Sequence, residues 1–459
     1  MSRSKLYWLV GLLMLVGMVV GVVQPALASS TPSVATAPNH IVSKPQHQSG
    51  PLYVVYPEKH DLSAPLRSMK GQPLSEKRLR EIKRIHEITM RPLPKALKAA
   101  SEGKGSDLSV LQNKAVSVNI PDPAASFDGI YNTYGVLPPD TNGDIGYDPD
   151  TGKKYYFQIV NLGYAVWDVT DPSNPTQVIA PTNNNDMWSG FGGVCESHND
   201  GDPIVLFDHL ADRWLFSQFA LDFDNNKFYQ CIAVSASADP TGQWYRYSYE
   251  VPSDLMNDYP KFGVWRDAYY MTANQFDASN NYAWAGAGVF AFERSAMLDG
   301  GTARMIYINV GAENLNYGGM LPADLDGTAP PEGTPGYFVE WDDSSWLGDP
   351  QDTLRIWEFH VDWDNPDNST FGANANYDPN YEVATADVDP SISSIPQPNG
   401  VGLEPLADRL MYRLAFRVWD DGTFSMVSNH TVDVDGNDHA GIHWFELKWD
   451  GSTWSMAQE

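Results

Sequence analysis

Residues 201–220, GDPIVLFDHLADRWLFSQFA, set a rule of apolar and polar positions that other stretches repeat. Ile204-Val205-Leu206-Phe207 is too short for an independent helix and lies between Asp202-Pro203 and Asp208–Asp212, which predicts a strand, a turn and a second strand. That second strand, Arg213–Phe219, is apolar at alternate positions of both parities, the pattern of a strand covered on both faces. Looser versions occur at Asp148–Asn161, Tyr259–Phe276 and Asp408–Asp421. Many short strands buried on both faces predict an all-β chain, a β-propeller of radial four-stranded blades of about 40–50 residues each. From Phe127 onward the chain has room for roughly five to seven blades.

Further strands are expected at 230–238 and 244–251, joined by the turn Asp239-Pro240-Thr241-Gly242, and at 287–293, 305–310, 336–341 and 353–363. The last unit runs through 408–419, 423–434 and 441–449 and is expected to be truncated. Arg213-Trp214, Tyr269-Tyr270 and Tyr412-Arg413 are expected to begin equivalent strands. Residues 321–335 and 364–394 read as long loops, where binding surfaces on a rigid scaffold normally lie.

The N-terminus follows another pattern. Residues 1–28 have a basic start, an apolar run from Leu6 to Val23 and an Ala-Leu-Ala end, which predicts a secretory signal peptide; the run is also long enough for an uncleaved anchor. Residues 29–126 form a basic leader with one short helix. Ser75 caps it, Leu79, Ile82 and Ile85 share one face through His86, and Pro92 and Pro94 stop it. The propeller is assigned 127–459.

Charge sharpens this division. The chain has 58 acidic and 30 basic residues, net −28, yet bases outnumber acids in the leader, so the body is more acidic than the whole. Nucleic acid and, after signal cleavage, membrane are excluded as partners of that body. The cationic leader helix reads either as a propeptide or lid docked on it, or as a solvated tether. Cys195 and Cys231 are the two cysteines; in an exported chain they predict one disulfide, with two buried thiols as the alternative, and no CxxC suggests a metal.

Candidate chemistry is carried by carboxylates. Asp140, Asn142 and Asp144 in one loop, and Asp433, Asp435 and Asp438 in another, have the oxygen-rich spacing of a Ca²⁺ site, with Asx turns as the competing account. Gly436 favours the second loop. Glycoside hydrolysis needs two carboxyl groups, for which Asp140, Asp202, Asp258, Glu340 and Glu404 are available; Asp202, Asp140 and Glu404 are the catalytic candidates. Trp265, Arg266, Arg413 and Arg417 are candidate binding residues, although two arginines on one strand face more readily pair with carboxylates between blades. Absence of G-x-S-x-G and H-E-x-x-H removes serine hydrolases and zinc proteases.

PPDTNGD at 138–144, the 201–220 stretch, YPKFGVWRDAYYMTANQF at 259–276, DRLMYRLAFR at 408–417 and NHTVD at 429–433 together resemble the N-terminal propeller region of large secreted bacterial proteins loosely called sialidase-like. The Asp-box turns of sialidases proper are not matched at 419–424 or 450–454. Asp202-Pro203-Ile204-Val205 more weakly resembles the blade opening of five-bladed propellers of glycoside hydrolase family 43. The expectation is a secreted, extracellular binding module for a glycan or cell-surface component, with Ca²⁺ as a candidate ion; the alternative is a glycoside hydrolase with paired carboxylates at the propeller mouth.

Overall fold

The computed structural model describes residues 41–43, 52–70, 74–89, 93–99, 121–398 and 400–459; residues 1–28, expected to be a signal peptide, lie outside them. The body is a five-bladed β-propeller, each blade built on four antiparallel strands; blades IV and V are joined by a parallel pair into one nine-stranded sheet. Blade I holds Asn142–Tyr147, Lys154–Val160, Gly163–Asp168 and Thr176–Asn183. Blade II holds Ile204–Asp208, Arg213–Asp222, Lys227–Ser235 and Trp244–Glu250. Blade III holds Leu255–Val264, Ala268–Asp277, Ala283–Glu293 and Met305–Asn309. Blade IV holds Leu321–Asp326, Gly336–Asp342, Thr353–His360 and Tyr381–Ala384. Blade V holds Met411–Val418, Phe424–Asp433, Ala440–Trp449 and Trp454–Gln458.

The alternation in Arg213–Asp222 explains why the blades stack. Successive side chains point to opposite faces. Trp214 and Phe216 therefore join the core against blade I, with Phe157 and Tyr164. Leu215 joins the core against blade III, with Tyr269 and Met271. Tyr270, one position on, packs toward blade IV with Phe338 and Phe359. Each such ring removed from water contributes about 1.5–3 kcal/mol. Innermost strands also touch directly: a Cβ at Gly263 would lie 2.2 Å from the Ala323 carbonyl oxygen, so blades III and IV meet there only through glycine.

Several expectations are corrected. Arg213 and Tyr269 lie at the start of second strands, but Tyr412-Arg413 belongs to the innermost strand of blade V, which pairs in parallel with Leu321–Asp326. Its position follows from charge, because Arg413 reaches Asp324 (3.0 Å) and Asp326 across that seam. Blade V is not short of a strand: Trp454–Gln458 supplies the fourth. Leu321–Asp326, assigned to a loop, is the innermost strand of blade IV.

Nor does residue 127 divide the fold. Leu52–Val55 pairs with Met305–Asn309 at the rim of blade III, and Lys59–Leu62 pairs with Trp244–Glu250 at the rim of blade II, locked by a bidentate Arg246–Asp61 pair at 2.7 and 2.8 Å. The leader then forms two helices, α1 (Glu76–Thr89) and α2 (Pro94–Ala99). Ser75 Oγ accepts from the Arg78 backbone N–H, as expected of a cap, and Pro94 opens α2, where a missing N–H costs nothing. Cys195 and Cys231 are bonded, tying the helical turn Gly193–Ser197 to the third strand of blade II with Cα atoms 5.8 Å apart. Among the described residues, no helix is long and apolar enough to cross a membrane.

Candidate active site at the propeller mouth

Three first strands deliver the site. Asp140 and Asp202 stand two residues ahead of the innermost strands of blades I and II, and Tyr259 stands in a bulge of the innermost strand of blade III. All three have left-handed backbone, with φ of 43°, 45° and 54°, which side chains other than glycine adopt at a cost of about 1–3 kcal/mol. The turns aim Asp140 and Asp202 inward, and the bulge adds Asp258 and Lys261, both buried. Lys261 Nζ lies 3.9 Å from the centre of the Tyr259 ring, and the Arg409 guanidinium 5.3 Å from it.

Helix α1 brings in a further residue. His86, on the same face as Ile82, is buried with its Nε2 3.2 Å from the Asp200 carbonyl oxygen and its Nδ1 3.7 Å from Asp202 Oδ1. An atom each of His86, Asp140 and Asp202 lie within 4.8 Å of one another, the sole such grouping of three His, Cys or carboxylate residues among the described residues. Gly201 makes room for the imidazole, since a Cβ there would stand 3.0 Å from His86 Nε2.

Burial, then the neighbouring Asp202, pushes the Asp140 carboxyl up to about 8. Burial and then Asp258 push Asp202 up as well. Burial alone would lower His86, but Asp202, Asp258 and Asp140 outweigh it and raise the imidazole. The Asp140 carboxyl is anchored by Asn161 Nδ2 (2.9 Å), and Asp202 Oδ2 by the Tyr259 backbone N–H (3.1 Å).

The leader covers all of this. Arg78 grips Asp200 through Nε (2.8 Å) and Nη2 (2.5 Å), Ile82 packs on Val136 and Leu162, and Ile85 enters a cluster with Phe219, Leu221 and Met256. Farther on, the Leu93 backbone N–H donates to Asp408, and buried Lys95 reaches Asp342 (2.6 Å) and Glu340 (3.2 Å) of blade IV. One segment thus crosses from blades I–III to blades IV and V.

The other candidate residues lie elsewhere. Glu404 is exposed, and burial followed by Asp408 raises its carboxyl. Glu340 is committed to Lys95. Trp265 is fully buried, its ring 4.6 Å from that of Phe416; Arg266 is exposed and donates to the Pro330 carbonyl. Arg413 is paired as described, and exposed Arg417 lies over Trp419 at 5.2 Å.

The two acidic loops direct most of their side-chain oxygens to hydrogen-bond donors. Asn142 Oδ1 and Asp144 Oδ2 accept from the backbone N–H groups of Val205 (2.7 Å) and Phe207 (2.8 Å), bracing blade I to blade II. Asp433 accepts from the N–H groups of Asp435, Gly436 and Asp438 at 3.1, 2.9 and 2.7 Å, and Asp438 binds Ser393. Asn142, Asp144 and Asp433 are thus turned onto backbone donors already in the chain, while Asp140 lies with His86 and Asp202.

Sequence reasoning named Asp140, Asp202 and Asp258 among many acids but missed His86, Lys261 and Arg409. His86 had a signal, since it lies four residues after Ile82 and so falls on the apolar face. No protein-family model matches the chain, and no curated protein does. Solved structures similar to it include an endo-arabinanase of glycoside hydrolase family 43 from Bacillus licheniformis, 15% identical over 68% of this chain and 94% of that one, TM-score 0.30. An α-L-arabinanase of Penicillium chrysogenum is 10% identical over 67% and 92%, TM-score 0.32. A family 32 β-fructofuranosidase of Bombyx mori is 12% identical over 69% and 61%, TM-score 0.32. Likenesses of this size assign no function to this chain.

Proposed function

We propose that the chain is a secreted glycoside hydrolase held in a latent state by its own leader. The observation that supports this is the carboxyl pair Asp140 and Asp202, set on neighbouring blades at the mouth, with oxygens within 4.8 Å and Asp258 beside them. Cleavage of a glycosidic bond uses two carboxyl groups flanking it, at about 5–5.5 Å where one acts as nucleophile. Lys261, Tyr259 and Arg409 supply the polar and aromatic wall that a sugar ring packs against. Helix α1 occupies the space a sugar would need, so the leader acts as the lid. Export through residues 1–28, kinship with secreted sialidase-like propellers and a glycan as partner belong to the same proposal.

The test is to open the lid without removing the leader, whose strands pair with the outer edges of blades II and III. Arg78→Glu with Ile85→Asp removes the grip on Asp200 and the apolar anchor; reducing-sugar release is then measured on a panel of polysaccharides. Release by the opened variant, abolished by adding Asp140→Asn or Asp202→Asn, is expected. No release from any polysaccharide by a folded, opened variant would reject the hydrolase.

A second reading, glycan binding without cleavage, draws on blade V, where Val427, Ile442 and Trp444 are 41, 60 and 45% exposed on adjacent strands. A flat apolar face of this kind suits sugar stacking. Glycan-array binding by the full chain, lost in Trp444→Ala, would favour it.

A further inference from the structure

We infer that His86, Asp140 and Asp202 form a binding site for a divalent transition-metal cation of the zinc class, which latches the leader to blades I and II. Each residue is held from behind, and one potential ligand atom of each lies within 4.8 Å of the others. His86 Nε2 lies against the Asp200 carbonyl, and Nδ1 turns to the carboxylates; a ligating histidine is normally oriented in this way by a carbonyl on its other nitrogen. Asn161 fixes Asp140 through Oδ2, and the Tyr259 N–H fixes Asp202 through Oδ2. Asp202 Oδ1 is buried and receives no hydrogen bond, in a residue only 4% exposed. A buried carboxylate oxygen so placed, with His86 Nδ1 3.7 Å away and Asp140 beside it, is answered by a proton from one of these neighbours or by a cation that all three hold.

The donor set chooses the cation. One imidazole nitrogen and two carboxylate oxygens suit Zn²⁺ and its first-row neighbours, whereas Ca²⁺ takes six to eight oxygens. Three protein ligands leave a tetrahedral ion one further position. Because His86 belongs to the leader and the aspartates to the blades, the bound ion cross-links them. This site does not depend on the hydrolase proposal, since metal uptake is read with no glycan present, while the opened variant tests hydrolysis.

The full chain is stripped with chelator and titrated calorimetrically with ZnCl₂, then with CaCl₂, and Co²⁺ is used as a visible-absorption reporter. One zinc per chain, an intense Co²⁺ band, and tryptic cleavage of helix α1 that zinc suppresses are expected. His86→Ala and Asp202→Asn should weaken zinc binding by about 100-fold or more, beyond the loss from disturbing an outer-shell partner. His86→Gln, which keeps a donor for the Asp200 carbonyl, serves where the alanine variant does not fold, and should show the same loss. The inference is overturned if the wild type takes up no zinc, if the variants retain it because the ion sits elsewhere, for example at the buried pair His430 and His443, or if calcium competes equally.

Discussion

Two acidic loops that read alike end in opposite circumstances. DVDGND at 433–438 answers its own repulsion: Asp433 collects backbone N–H groups from its own turn, and Asp438 takes Ser393. PPDTNGD at 138–144 does not. Its Asn142 and Asp144 are spent on blade II, and Asp140 is sent to the mouth, where Asp202 faces it and the leader supplies the nearest cation-forming group. The difference is one of reach rather than composition. Asp433 stands where the N–H groups of its own turn fold back on it, whereas Asp140, two residues ahead of the innermost strand of blade I, carries its carboxyl to Asn161 and the mouth.

The largest effect that separates the two is on turnover. In the lid-opened chain, Asp140→Asn or Asp202→Asn should cost about 10²–10⁴-fold in sugar release, the usual contribution of a general acid or base, and Asp433→Ala should cost none. Thermal unfolding should show the mouth variants no less stable than wild type, because each relieves repulsion between buried carboxyls. Equal losses of activity in mouth and loop variants would erase the contrast.

Next in size is the dependence of the mouth on the leader. Lys95 is 4% exposed and neutralises Glu340 and Asp342 beside Arg355, so Lys95→Met leaves buried charge short of a partner and should destabilise by about 3–5 kcal/mol. Denaturant unfolding measures the loss, and hydrogen exchange should show faster opening of helix α1 with the 433–438 amides unchanged. Exchange that rises equally in both regions would mean that the leader stabilises the fold as a whole.

Legibility followed the same division. Elements whose cause is local were readable: the Arg213–Asp222 strand from its two-faced apolar pattern, the Asp239–Gly242 turn, the Ser75 cap and the cysteine pair. Leu321–Asp326 was not, because a short strand containing Pro322 and bounded by turn residues carries its meaning only in its neighbours, Gly263 on one side and Leu414 on the other. The site was half legible. Asp140 and Asp202 stand out beside Pro139 and Pro203, but nothing near them in sequence announces His86, which arrives from a helix more than one blade away. Arg413 shows the converse: its strand position was misassigned although its pairing with carboxylates was expected.

The smallest effect concerns Asp433 alone. Burial pushes its carboxyl up, but the backbone N–H groups of Asp435, Asp438, His439 and Gly436 outweigh that and hold it below the ordinary 3.8. A group whose folded value is depressed adds stability above its unfolded pKa, and loses it as pH falls through the folded value. Asp433→Ala should therefore cost about 1–2 kcal/mol at neutral pH, the range for losing a side-chain cap on backbone donors. The gap between wild type and variant should stay constant down to the ordinary carboxylate range and close in stronger acid. Unfolding midpoints recorded from neutral pH into acid with both proteins would show it, and calcium added in place of chelator at neutral pH should move neither midpoint. A gap that widened in acid, or one that calcium enlarged in the wild type, would mean that the loop's carboxylates are answered by something other than its own backbone.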